Sequence, residues 1–135
     1  MQARTLGIGL SRARIVLAVL GLLSSVYLSY SAAFNVAVAC PTMGLLNCES
    51  VLSSQYASTF GIPNGYLGVI FFAAVLLLVR MKKPAYLAAL NAIGMGFVLY
   101  FVRAEYLLGS ICVYCTLVHV CTAALLLISL YEIGG

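Results

Sequence analysis

The sequence predicts an all-α integral membrane protein, a four-transmembrane-helix bundle with a long extracytoplasmic loop, and three observations predict it. Hydrophobic residues make up 64% of the 135-residue chain and charged residues 7%, whereas a soluble domain carries about a quarter charged residues. That leaves too few polar groups to coat a globule in water, so lipid is the expected solvent. Four apolar stretches each approach the roughly 20 residues a helix needs to cross about 30 Å of hydrocarbon. Finally, the net charge of +4 comes from dispersed Lys and Arg that flank the apolar stretches. That placement marks membrane topology rather than a phosphate-binding patch, and it excludes nucleic acid as the expected partner.

The spans are expected at 15–34, 63–80, 84–102 and 110–130, within a single domain of residues 1–135. Pro63 suits the first turn of the second span, where proline gives up only an amide that has no helical partner. The one long connection, 35–62, holds Cys, Ser, Asn, Gln and Glu, and a short helix is expected within it. The other connections are short, so consecutive helices are expected to be antiparallel neighbours. Arg4, Arg12 and Arg14 precede the first span, and Arg80, Lys82 and Lys83 separate the second from the third. Four crossings put all of these on one side and leave Arg103 alone on the other. The positive-inside rule then places both termini in the cytoplasm and the 35–62 loop outside a cell membrane. A rival reading takes the first span as a signal peptide cleaved after Ala37-Val38-Ala39. The run is longer than the 7–15 residues typical of such a core, which disfavours it.

The cysteines carry most of the functional information. Cys40 and Cys48 lie in the long loop as C-x7-C, and Cys112 and Cys115 form C-V-Y-C at the outer end of the fourth span. All four are expected at the outer, oxidising face, where disulfides persist. Two-electron exchange passes through a mixed disulfide that a second thiol must resolve, so the chemistry needs pairs. It also needs thiolate. Asn47 and Ser110 are expected to cap helices starting near Cys48 and Cys112, and a helix N-terminus lowers a thiol pKa. Static disulfides are the bland alternative, but a helical C-x-x-C closes a trivial loop and makes a poor staple. A metal site is disfavoured because the only histidine, His119, lies a turn deeper. Cys121 is expected to be an apolar packing residue.

The order Cys40-x7-Cys48-Glu49-Ser50-Val51-Leu52-Ser53-Ser54, then Phe60-Gly61-Ile62-Pro63-Asn64, then Cys112-Val113-Tyr114-Cys115, resembles the vitamin K epoxide reductase family, especially its microbial homologues. The resemblance covers most of the chain. It implies a four-helix bundle around a quinone pocket near the outer face and a relay of electrons from a secreted thioredoxin-like protein. By the resemblance Cys40 meets that partner, Cys48 exchanges with Cys112, and Cys115 donates to the quinone, of ubiquinone, menaquinone or vitamin K type. Microbial homologues thereby support disulfide formation in secreted proteins. Many carry a fused thioredoxin-like domain; here the partner is expected to be a separate protein. Ser54 and Asn64 match the family's loop serine and its quinone-carbonyl donor. His119 falls four residues after Cys115, where animal members place a tyrosine, and it can also donate to a quinone oxygen. Bland readings of the three are a capping serine, an exposed amide and a satisfied core histidine. Against them, an ionisable residue within a span is a functional candidate.

Other features separate the remaining classes. Glu49, Arg103 and Glu105 are expected to face outward into water. Gly65-x2-Gly68 and Gly94-x-Gly96 are expected to permit close helix packing. The unrelated bacterial disulfide-forming quinone reductase carries its C-x-x-C in the first outer loop, not on the fourth helix. A mercuric-ion carrier would place a cysteine pair within the first span, which has none, and a multidrug exporter would need an intramembrane glutamate, whereas no glutamate is expected within a span. A structural subunit with static disulfides is the remaining alternative.

Overall fold

The computed structural model describes residues 2–34, 58–59 and 61–134. Helix α1 spans Gln2–Phe34, strands β1 and β2 are Ser58–Thr59 and Ile62–Pro63, and helices α2, α3 and α4 are Asn64–Met81, Pro84–Leu108 and Val113–Gly134. Among the described residues, four helices are long and apolar enough to cross a membrane. The chain is thus an all-α multi-pass membrane protein. The short helix expected within 35–62 falls outside the described residues. Just before α2 the chain forms a two-residue ladder, with Ser58 opposite Pro63 and Thr59 opposite Ile62. Gly61 takes φ 79° in the turn between them, a conformation that glycine adopts without a Cβ penalty.

Four boundaries differ from expectation, the end of α4 at Gly134 rather than 130 among them. Helix α1 begins near the N-terminus rather than at Ile15, because nothing in 2–14 breaks a helix once the apolar run propagates it. Helix α3 continues to Leu108 rather than ending near 102. Arg103 and Glu105 end the apolar run there, but both are good helix formers and do not end the helix. Gly109 ends it, at φ 68°: its amide reaches the Tyr106 carbonyl, and the Ser110 amide reaches that of Glu105. Ser110 therefore belongs to the α3 terminus and does not cap α4, which starts three residues later. The α2–α3 turn repeats this geometry with Lys82 at φ 55° in place of glycine, and Pro84 then opens α3 at a position where its missing amide costs nothing.

The helices form a ring in which α1 packs on α2 and α4, and α3 packs on α4 and α2. Small residues set the α1–α2 seam. A Cβ on Gly65 would stand 2.8 Å from the Ser29 backbone nitrogen, and one on Gly68 would collide with Ser25. Gly21 receives the Phe72 ring and Gly94 the Phe71 ring. Gly65, Gly68 and Gly94 thus act as expected, whereas Gly96 meets nothing within 4 Å. Ala18, Phe72, Val75, Leu87, Cys121 and Leu125 make the buried core, so Cys121 is a packing residue.

Polarity is inverted relative to a water-soluble fold. Leu23, Ile70, Leu77, Leu99 and Leu127 are exposed on the outside, while Ser25, Asn91, Thr122 and Ser129 are buried inside. Lipid facing the first group accounts for both. The Asn91 amide donates to Ser129 Oγ at 2.9 Å, tying α3 to α4. At one end of the bundle Arg14 on α1 pairs with Glu132 on α4 at 2.7 Å, with both side chains largely buried. Replacing Arg14 with methionine leaves Glu132 without its partner and is expected to cost about 1.5–3 kcal/mol, the scale of a hydrogen bond to a charged group. The loss would register as a lower midpoint in thermal unfolding in detergent, and restoring lysine should recover part of it.

Candidate functional site

The opposite end of the bundle gathers the chemistry. Gly109–Cys112 link α3 to α4, and Cys112 stands one residue before α4, fully buried. Its carbonyl accepts from the Thr116 amide at 2.9 Å and from the Thr116 hydroxyl at 2.8 Å, so Cys112 acts as the N-cap residue. This geometry turns its sulfur back over the first turn, where Sγ accepts from the Cys115 amide at 3.4 Å. The cysteine itself thus occupies the capping position expected of Ser110. Cys112 and Cys115 are both thiols here. The Cys115 thiol hydrogen-bonds the Cys112 sulfur and, with the amides of Cys115 and Tyr114, holds the Cys112 thiol below the ordinary cysteine range, against the opposing effects of burial and the nearby Glu105. A sulfur facing the first amides of a helix is the arrangement that favours thiolate.

Around the pair stand residues from three helices. Glu105, expected in water, is instead buried at 8% exposure. It lies on the inward stripe of α3 with Asn91, Gly94 and Val98, and the continued helix carries it there. Its carboxylate accepts from the Cys112 amide. Among the described residues its Oε1 atom is buried without a hydrogen-bond partner, and it lies 3.9 Å from His119 Nδ1. The expectation that no glutamate lies within a span is corrected by the same finding. His119, one turn beyond Cys115, is buried, and its ring stacks on Phe101 at 6.2 Å between centroids and 15° between planes. Tyr114 meets Tyr27 of α1 at 5.1 Å. Asn64 opens α2 at this same end, half-buried.

Of the residues expected to form the site, Cys112, Cys115, His119 and Asn64 lie at one end of the bundle. Cys40, Cys48 and Ser54 fall within 35–57, outside the described residues. Glu105 and Phe101 were not anticipated. Among the described residues no group of three His, Cys, Asp or Glu side chains is arranged to hold a metal ion.

Residues 12–130 match the Vitamin K epoxide reductase family. The chain belongs to this family. No curated protein matches the chain. Membership makes the protein a membrane thiol–disulfide oxidoreductase of a quinone-linked family. This vitamin K epoxide reductase family member has its C-x-x-C pair at the head of α4, beside the buried Glu105 and His119.

Proposed function

We propose that the protein relays electrons from a secreted thioredoxin-like partner through Cys40 and Cys48 to Cys112 and Cys115, and from there to a membrane quinone, supporting disulfide formation in secreted proteins. The observation that carries this reading is the hydrogen-bonded Cys112–Cys115 thiol pair at a helix start, within a chain matched to its family over 12–130. Arg12, Arg14, Arg80, Lys82 and Lys83 gather at the far end of the bundle, which favours a cytoplasmic location for both termini and an outer, oxidising location for the thiols.

In this reading the partner's thiolate attacks the Cys40–Cys48 disulfide at Cys40 and frees Cys48. Cys48 then attacks Cys112 of an oxidised Cys112–Cys115 pair, and Cys115 leaves as the thiol that faces the acceptor. Cys112 suits the exchanging role because its sulfur lies before the helix, while Cys115 is fixed within it. The surroundings fit a flat acceptor with two carbonyls: the Phe101 and His119 rings lie nearly parallel, and His119 and Asn64 supply hydrogen-bond donors. The quinone, when bound, supplies a two-electron sink. His119 and Asn64 stabilise charge on its oxygens, and Ser54 stands with them through the family pattern. Bilayer and quinone then form one environment on the thiol side.

The test is quinone reduction followed optically in detergent. Cys40→Ala is expected to lose at least about tenfold of its rate with a reduced thioredoxin-like protein as donor, yet to keep most of it with dithiothreitol, which reaches Cys112 directly. Equal loss with both donors would remove Cys40 from the outer position, and no quinone consumption by the wild type with any donor would sink the relay.

A further inference from the structure

Glu105 is costly where it stands. A carboxylate removed from water is expensive unless it is paired and fully hydrogen-bonded. The other described carboxylate, Glu132, has Arg14. Among the described residues no Lys or Arg pairs with Glu105; its ionisable neighbour is His119 at 3.9 Å, and its Oε1 atom is buried with no partner. An apolar side chain of the same size would hold α3 against α4 at less cost. What the carboxylate has instead is position. It accepts from the Cys112 amide and lies close enough for its charge to be felt at both sulfurs.

We infer that Glu105 is the proton acceptor of the Cys112–Cys115 pair, with His119 as the next carrier. The inference rests on the oxidoreductase reading above and adds the route of the proton. Forming the Cys112–Cys115 disulfide breaks two S–H bonds, makes one S–S bond, and sends two electrons and two protons to the acceptor. The electrons pass by contact at sulfur. The protons need a base within an apolar bundle, and among the described residues Glu105 is the carboxyl group beside the thiols. It takes a proton as a sulfur becomes thiolate, and as a neutral acid it is 3.9 Å from the imidazole that passes the proton on. Active-site hydrogen bonds commonly tighten from such distances when the reacting complex forms.

The test uses diamide, a small oxidant that accepts two electrons and two protons, so that no quinone is involved. Fully reduced protein is mixed with diamide and quenched with acid. The Cys112–Cys115 peptide is then scored for disulfide by mass. Glu105→Gln is expected to slow bond formation by about 10²-fold, the lower end of general-base contributions. Glu105→Asp should recover most of the rate, and the solvent deuterium isotope effect of the wild type should shrink in Glu105→Gln.

The sign decides the matter, because a spectator anion beside a thiol opposes thiolate formation. If Glu105→Gln reacts as fast as the wild type or faster, the carboxylate is no base and the inference falls. It falls equally if Glu105→Asp is as slow as Glu105→Gln with the isotope effect unchanged, since that is loss of packing. Should Glu105→Gln fail to fold, Glu105→Met takes its place. Quinone reduction by the wild type is scored separately, so failure of the relay and failure of this inference are told apart.

Discussion

Replacing Cys115 with alanine is expected to stop quinone reduction with every donor, by about 10³-fold or more, as loss of a residue that acts covalently does. Cys112→Ala should stop it as well, but the two differ in what accumulates. Without Cys112, the loop cysteines have no sulfur to attack, and no mixed disulfide forms. Without Cys115, the lone Cys112 thiolate can attack the loop disulfide at Cys48, releasing Cys40 as a thiol, and with no Cys115 to resolve it the Cys48–Cys112 disulfide should accumulate and be visible by mass after partial proteolysis. Cys121→Ala is the control. Its side chain packs in the core with Phe72 and Leu125, so it is expected to retain turnover. Quinone reduction by Cys115→Ala at the wild-type rate would mean that the C-x-x-C pair is a staple and that the redox centre lies elsewhere.

The helix–helix seam gives the second large effect. Gly65→Ala is expected to destabilise the bundle by about 1–3 kcal/mol, the usual cost of forcing atoms into a filled space. Its new Cβ would stand 2.8 Å from the Ser29 nitrogen and 3.1 Å from the Leu28 carbonyl carbon. Both are backbone atoms, so no rotamer change relieves the contact and α1 must move from α2. Gly96→Ala, on a helix but with nothing within 4 Å, should stabilise by about 0.5–1 kcal/mol through helix propensity alone. Thermal midpoints in one detergent compare the two, and equal shifts of the same sign would show that the seam is not close-packed.

Hydropathy made the four helices legible, because the lipid requirement acts on every residue of a span and so repeats along it. The ends were less legible. The apolar run of α3 stops at Val102, yet the helix continues to Leu108, because charge ends a hydrophobic run without ending a backbone geometry. Glu105 was misplaced for that reason. A signal did exist: Asn91, Gly94, Val98, Phe101 and Glu105 follow one another at steps of three and four, a single stripe of a helix. Read as a face rather than as a charge near water, Glu105 points inward. The cysteine pair was legible from spacing alone. The choice of Cys112 as its own cap was not, since serine is the commoner capping residue and Ser110 was a near competitor that the α3 terminus claimed first.

That capping arrangement has a mechanical consequence. Cys115 is carried on a rod of 22 residues that is braced at its far end through Arg14, whereas Cys112 rides on the short Gly109–Cys112 strap between two rods. In the proposed relay, where the two sulfurs alternately touch and part, Cys115 would therefore be the fixed terminal and Cys112 the moving contact. A change of partner at Cys112 would need its buried sulfur to leave the Cys115 amide, by side-chain rotation and give in the strap, while the Thr116 bonds hold its carbonyl on α4. The strap's length then sets the throw of the switch. Stiffening it, as Ser110→Pro would do, is a way to slow the exchange while leaving each sulfur's chemistry intact.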